Sequence, residues 1–208
     1  MSVSRETEPP TGAEELFGPG WTQAQRYADL LSTWGVERGM IGPREVPRLW
    51  DRHLLNCVAV VPRLPRECTV ADVGTGAGLP GLVWAIARPD VRMTLVEPLL
   101  RRVSFLEEVV GHLDLTNVEI VRARAEEHRA SYDVVTARAV ASLDKLTTWC
   151  WPLVGPGGVL LAMKGRSAPE EVEKARPLLK RLGVTDVRIE SYGEDDLSVP
   201  TTVVELTR

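Results

Sequence analysis

Cysteine is scarce in this chain and forms no pattern: Cys57, Cys68 and Cys150 are odd in number and keep no ligand spacing. Neither a disulfide framework nor a metal site is implied, and the three fit buried thiols in a reducing compartment. No apolar run approaches the roughly 18 residues of a membrane helix, so no span is expected. The stretch Met-Ser-Val-Ser-Arg-Glu-Thr-Glu-Pro-Pro carries acids and prolines where a secretory signal has an apolar core, and a cytoplasmic protein is expected. Positive net charge is also missing. A formal charge of −4 argues against a chain that coats nucleic acid non-specifically, though not against a local basic surface. There is no RNA-recognition motif, no array of stacking aromatics, no internal repeat and no low-complexity stretch.

What is present suits a globular chain. A hydrophobic content of 44% can build a real core, and 208 residues fit one domain with a modest extension. Residues 1 to about 13 are polar and aperiodic and are expected to be disordered. Ala24, Tyr27, Ala28, Leu30, Leu31 and Trp34 recur at helical spacing, predicting a helix over Trp21–Trp34 with Thr22 as a candidate cap. After a loop over 35–43, a second helix is predicted over Val46–Val61. Its apolar stripe is Trp50, Leu54, Val58 and Val61; Arg48, Arg52 and Asn56 share a polar face. This prefix is too thin to bury much alone and should pack on the remainder of the chain.

From Thr69 onward strands and helices alternate. Strands are predicted over Thr69–Val73, Val91–Val96, Val118–Val121, Tyr132–Ala137 and Val159–Met163, the last entered by a turn at Gly155–Gly158. Helices are predicted over Leu79–Ala87, Leu100–His112, Leu143–Leu153 and Pro169–Leu182. Two final strands, Val187–Tyr192 and Thr202–Leu206, are linked by the acidic loop 193–200, too short for a crossover, and should pair antiparallel. The expectation is an α/β fold: a doubly wound, mostly parallel sheet with a terminal antiparallel hairpin. Residues 1–66 form a disordered start and helical extension packed on the core, and 67–208 the ligand-binding domain.

The informative stretch is Val70-Ala71-Asp72-Val73-Gly74-Thr75-Gly76-Ala77-Gly78-Leu79-Pro80-Gly81, a buried strand breaking into a glycine-rich turn. A phosphate-binding P-loop would need Lys-Ser or Lys-Thr after the glycines, and neither is there. A dinucleotide fingerprint can be read at Gly76, Gly78 and Gly81, but Pro80 sits where a helix amide should face the pyrophosphate. S-adenosylmethionine accounts for every feature. Its adenosine is neutral and its amino-acid tail charged, so Asp72 can balance the ammonium side and Glu97, ending the second strand, can accept both ribose hydroxyls. The terminal hairpin also belongs to the Rossmann-like class I methyltransferase fold.

With these residues the chain resembles the RsmG (GidB) family, which methylates guanine N7 in bacterial 16S ribosomal RNA. Asp72 to Gly81 carries the resemblance, Leu79-Pro80-Gly81 being more specific than the general methyltransferase motif. Arg52-His53-Leu54-Leu55-Asn56, Arg101 to Leu106, Arg124-Ala125-Glu126-Glu127, Thr136 to Leu143 and Met163-Lys164-Gly165 match in order. Glu97 stands where the family commonly has aspartate and keeps the carboxylate. The resemblance implies Gly74 and Leu79 at the cofactor, Ala125 and Glu126 beside the adenine, and Arg138 at the active-site mouth. Asp72, Gly76, Gly78, Glu97 and Arg138 complete the candidate cofactor set.

Arg138 interrupts the small, apolar run Thr136-Ala137-Arg138-Ala139-Val140-Ala141, where an arginine usually contacts an anion; RNA phosphate, guanine or the cofactor carboxylate stands against a structural salt bridge. Lys164 also sits just after a strand. With Arg138 it forms the candidate catalytic pair, and both join Arg48, Arg52, His53, Arg101 and Arg102 as candidate RNA contacts. Arg122, Arg124 and Arg129 add local positive charge. Guanine N7 holds an in-plane lone pair and no proton, so no general base is needed, in keeping with the absence of Asn-Pro-Pro-Tyr or Cys-Pro. The expected partner is 16S rRNA or the small ribosomal subunit, met by a monomer without metal; S-adenosylhomocysteine is the product. A small-molecule methyltransferase and a non-catalytic cofactor-binding assembly factor stay open.

Overall fold

The computed structural model describes residues 8–138, 141–195 and 197–208. Of the sequence-based expectations, the disorder of residues 1–7, the Ala139-Val140 part of the Arg138 run and Asp196 in the acidic loop lie outside them. In chain order the regular elements are helices α1 (Ala13–Phe17), α2 (Trp21–Leu30) and α3 (Leu55–Val58), then β1 (Thr69–Val73), α4 (Gly81–Ala87) and β2 (Arg92–Val96). They continue as α5 (Leu100–His112), β3 (Val118–Val121), β4 (Tyr132–Arg138), α6 (Leu143–Cys150), β5 (Val154–Lys164), α7 (Ala168–Arg181), β6 (Asp186–Tyr192) and β7 (Thr201–Thr207). Seven strands form one sheet in the order β3-β2-β1-β4-β5-β7-β6. The first five are parallel, and β7 runs antiparallel to both β5 and β6, giving the expected doubly wound sheet and terminal hairpin.

The order reverses between β1 and β4, where Asp72 pairs with Thr136. In open α/β sheets such a switch point opens a crevice at the carboxyl ends of the strands. It places the glycine turn after β1 beside Arg138 at the end of β4.

Four sequence-based expectations need correction. The start expected to be disordered as far as about residue 13 is not so at its described end, where the Ala13 N–H donates to the Pro10 carbonyl (3.2 Å) and Ala13 is buried as the first residue of α1. Gly155–Gly158 is no entry turn but part of β5, where the β4 register slips between Tyr132 and Val134; a Cβ on Gly158 would stand 2.8 Å from the Asp133 carbonyl, so the bulge needs glycine. Thr22 caps nothing, because α2 is entered through a 3₁₀ turn over Gly18–Gly20 and Gly20 takes the flanking position. The single helix expected over Val46–Val61 is three pieces: a 3₁₀ turn at Pro43–Arg48, a π-helical turn at Leu49–Leu54, then α3. The residues explain the wide turn. The apolar pairs Leu49–Trp50 and Leu54–Leu55 are five apart, a spacing that i→i+5 hydrogen bonding brings onto one face, and all four are buried. A second π turn over Leu31–Gly35 carries the first prefix helix on past its expected end at Trp34.

The prefix shares one apolar cluster with α4 and the strands: Tyr27, Leu31, Leu54 and Val58 meet Leu82, Trp84, Val70 and Leu95 there. The Trp84 indole N–H donates to the Cys57 carbonyl (2.8 Å), and Arg63 donates to Glu205 on β7 (2.9 Å). Trp50 stands 5.4 Å from Trp21 and 6.2 Å, edge-on, from Phe17, ring centroid to centroid. Among the described residues no helix is long and apolar enough to cross a membrane.

Gly20 is the tightest point of this packing. A Cβ there would run into the backbone carbonyl of Ile86, which sits near the end of α4 and cannot swing aside. We expect Gly20→Ala to cost about 1–3 kcal/mol by overpacking, seen as a melting temperature lower by roughly 3–10 °C. An unchanged melting temperature would contradict the close approach.

Candidate active site

The glycine turn is built around a buried carboxylate. Asp72 is fully buried; its Oδ2 accepts hydrogen bonds from the Thr75 hydroxyl (2.6 Å) and the Gly81 N–H (2.8 Å). The carboxylate thereby ties β1 to the first amide of α4 across the loop. Its other oxygen, Oδ1, has no hydrogen-bond partner among the described residues. Burial, outweighing these hydrogen bonds, pushes the Asp72 pKa up to about 6. A half-satisfied buried carboxyl just behind a cleft is what a cationic ligand group would complete.

The glycines divide into two kinds. Gly74, Gly76 and Gly78 all adopt positive φ, but a Cβ on Gly76 would meet only the Gly74 carbonyl, at 3.9 Å, so its upper side is open to a ligand. Gly78 and Gly81, by contrast, are shaped by the protein. A Cβ on Gly78 would collide with Leu82 and lie 2.8 Å from the Tyr27 hydroxyl, and one on Gly81 would collide with Leu95. Tyr27 donates to the Ala77 carbonyl (2.8 Å), clamping the turn from the prefix side. Leu79, half-buried, donates its N–H to the Thr75 carbonyl and precedes Pro80 through a cis peptide bond.

Glu97 is buried at the end of β2 and reaches the same turn. It accepts from the N–H groups of Gly76 and Leu99 (3.1 Å each) and faces Arg102 at 3.4 Å. On that side Gly74, Ala125 and Glu126 line a pocket of about 230 Å³ with Val73, Val96, Pro98 and Trp149. Its lining is mostly apolar, as a flat neutral ring requires, with Glu126 and Arg124 as the charged residues. An orphaned buried oxygen, an open glycine and this pocket meet at one strand end, so these residues fit the adenosine and amino-acid ends of S-adenosylmethionine.

On the other side of Asp72, a groove of about 740 Å³ is lined by Arg48, Arg52, Asn56, Arg138 and Lys164. The three-residue face expected on the prefix therefore does look into the groove, although a 3₁₀ turn, a π turn and α3 carry one residue each. Arg138 is half-buried and hydrogen-bonds to the Cys57 sulfur (3.0 Å), the His53 carbonyl (3.5 Å) and His53 Nδ1. All three partners are neutral: burial pushes the Cys57 thiol pKa up, and burial together with Arg138 pushes the His53 pKa down. No carboxylate among the described residues forms an ion pair with Arg138, so the structural salt-bridge alternative finds no support.

Lys164 is placed otherwise than a catalytic lysine would be. Its side chain is 8% exposed, and its ammonium binds Glu171 (2.7 Å) and the Ala141 carbonyl (2.9 Å). It lines the groove but is committed to anchoring the segment after β4. Arg101 lies exposed on α5, and Arg102 is held toward Glu97, so neither joins the groove. Glu45, Tyr27 and Trp149 belong to the site but carried no motif, Tyr27 standing out only as one apolar residue of a helical stripe, and Thr75 lay inside the glycine motif without being given a role.

A buried carboxylate under an open glycine turn, an acid ending the second strand and a parallel sheet with an antiparallel terminal hairpin define a class I S-adenosylmethionine-dependent methyltransferase. A solved structure of M. jannaschii TYW2 in complex with S-adenosylmethionine shares the fold, with TM-score 0.60, 15% identity and 74% of each chain covered. The chain belongs to the rRNA small subunit methyltransferase G family (GidB), whose model matches residues 21–199. Proteins named ribosomal RNA small subunit methyltransferase G are 54% identical in Salinispora tropica, over 97% of this chain and 88% of that protein, and 53% identical in a Nocardioides species, over 98% and 83%.

Asp72 makes a testable demand on stability. A carboxyl whose pKa rises from 3.8 to about 6 on folding holds its proton longer in the folded state. Its contribution is fully present below pH 3.8 and is lost as pH climbs through about 6, a penalty of about 3 kcal/mol at neutral pH. Asp72→Asn keeps the acceptor for Thr75 and Gly81 and should melt roughly 5–10 °C above the parent near pH 8, with no gain near pH 4. It should also bind S-adenosylmethionine at least about tenfold more weakly. A variant no more stable at alkaline pH would contradict the buried charge.

Proposed function

We propose that this chain transfers the methyl group of S-adenosylmethionine to N7 of a guanine in the decoding-region loop of bacterial 16S rRNA, acting as a cytoplasmic monomer on the RNA or the small subunit. Residues 67–208 would carry the cofactor, and residues 1–66 the extension that completes the substrate groove. One observation carries the reading. The unpartnered oxygen of Asp72 and the guanidinium of Arg138, which has no ion-pair contact among the described residues, sit at adjacent strand ends, one suited to the cofactor's cation and the other to an anionic substrate.

When bound, S-adenosylmethionine supplies an electrophilic methyl group on a sulfonium. Glu97 would hold the ribose hydroxyls with the oxygen sites left beside Gly76 and Leu99, and Asp72 would balance the ammonium. Gly74, Gly76, Leu79, Ala125 and Glu126 would border the cofactor, while Gly78 keeps the turn in shape. Arg138 would contact a phosphate or the guanine so that N7 lies in line with the methyl group. As the N7–carbon bond forms, the old carbon–sulfur bond breaks and its electron pair stays on sulfur, giving S-adenosylhomocysteine and a cationic 7-methylguanine. No proton moves, so the chain needs positioning and electrostatics and no base. Arg48 and Arg52 would face RNA from the groove, with Arg101 and Arg102 on the flank. His53, expected at the RNA, lies behind the groove with both ring nitrogens engaged and would act through Arg138. Lys164 would act through its ion pair with Glu171.

The test is incubation with labelled methyl donor and, in parallel, small ribosomal subunits, naked rRNA and a metabolite extract. Label in RNA, mapped to a guanine N7, is expected; label confined to metabolites would overturn the reading. Arg138→Ala should bind the cofactor normally yet lose about 100-fold or more in methyl transfer, the scale of a lost positioning contact. Near-normal transfer by that variant would remove Arg138 from the mechanism.

A further inference from the structure

The Arg138 guanidinium is held by a side chain that is itself held. His53 presents Nδ1 to Arg138 and Nε2 to Glu45 Oε2 (2.8 Å). Arginine can only donate, so Nδ1 must be the bare acceptor nitrogen. The ring proton then resides on Nε2, where the Glu45 carboxylate accepts it. The chemistry of the two neighbours therefore fixes the tautomer. His53 has only 13% of its side chain exposed, which leaves the ring little freedom to turn. The arrangement runs in from the solvent side. Exposed Arg52 also contacts Glu45 (3.2 Å), and the His53 carbonyl adds a second contact to Arg138. Glu45 comes from the 3₁₀ turn over Pro43–Arg48, His53 from the π turn over Leu49–Leu54 and Arg138 from β4, so the irregular prefix supplies the support for a side chain of the sheet.

We infer that Glu45 and His53 are positioning residues for methyl transfer: Glu45 fixes the His53 tautomer, and His53 in turn fixes the direction of the Arg138 guanidinium in the groove. The inference rests on the proposed function, which already gives Arg138 a place at the substrate. A guanidinium with five donors and neutral partners would sample several orientations without such a support, and one ångström of misplacement can cost about 100-fold in rate.

The test uses the full-length protein with small ribosomal subunits and labelled methyl donor, both substrates at saturation. His53→Ala should lower kcat by about 10- to 100-fold while KM for the subunit and Kd for S-adenosylmethionine move less than about twofold. Glu45→Ala should lower kcat about tenfold, and Glu45→Gln, whose amide oxygen can still accept the Nε2 proton, should recover at least about threefold of that loss. A residue that only stabilised the fold would lower the melting temperature without this split or this rescue. An independent readout needs no activity. Nitrogen NMR of the three histidines should show His53 with Nε2 protonated and Nδ1 bare, and Glu45→Ala should turn that signal into a tautomer mixture. If the parent protein methylates subunits but His53→Ala keeps kcat within about twofold, or the His53 proton lies on Nδ1, the inference is overturned alone. A parent protein that labels no subunit overturns the functional reading and this inference with it.

Discussion

The structure turns on one charge taken out of water. Asp72 is sealed under the glycine turn with one oxygen engaged by Thr75 and Gly81 and the other left over. Evolution could remove the cost by replacing the acid with an amide of the same shape. Retaining it makes sense if the bound state supplies a cation that the free state lacks. Much of the surrounding architecture serves that arrangement. The turn is narrow because Leu82, Leu95 and Tyr27 press on Gly78 and Gly81, and the Tyr27 hydroxyl anchors it through the Ala77 carbonyl. Gly76 keeps its upper side free, where Glu97 meets the loop.

The second half of the site works by the opposite logic. Arg138 carries a charge with neutral neighbours, in a groove shared with Arg48 and Arg52, on a protein whose net charge is −4. An acidic chain with a shaped basic groove suits docking on one site of a polyanion better than sliding along any polyanion. The prefix joins the two halves. Through Tyr27 it steadies the cofactor turn, and through His53 it steadies Arg138.

How much of this was legible in the sequence depended on the range of the interactions. Strand and helix limits in the sheet region, such as Thr69–Val73 and Leu100–His112, were readable because β-branched runs and 3.6-residue spacing act locally. Asp72, Glu97 and the glycines were readable because their spacing along one βαβ unit is itself the site. The prefix was not: the five-residue spacing of Leu49–Trp50 and Leu54–Leu55 falls between periods, and it becomes a π turn only because α4 and the sheet take both pairs into one core. Lys164 resembled a free lysine until folding brought Glu171 to it. Glu45 had no motif at all, since its importance lies in a histidine eight residues on and an arginine on a distant strand.

The central claim is that Asp72 meets the positive end of the cofactor, and proton linkage reports on it directly. With a pKa of about 6, the carboxyl is about half protonated at pH 6 in the free protein and must ionise when a cation docks. Calorimetric titration with S-adenosylmethionine at that pH, in two buffers of different ionisation enthalpy, should show release of about half a proton per cofactor bound, fading to none near pH 8. Binding that is tight at pH 6 and releases no proton would contradict the account.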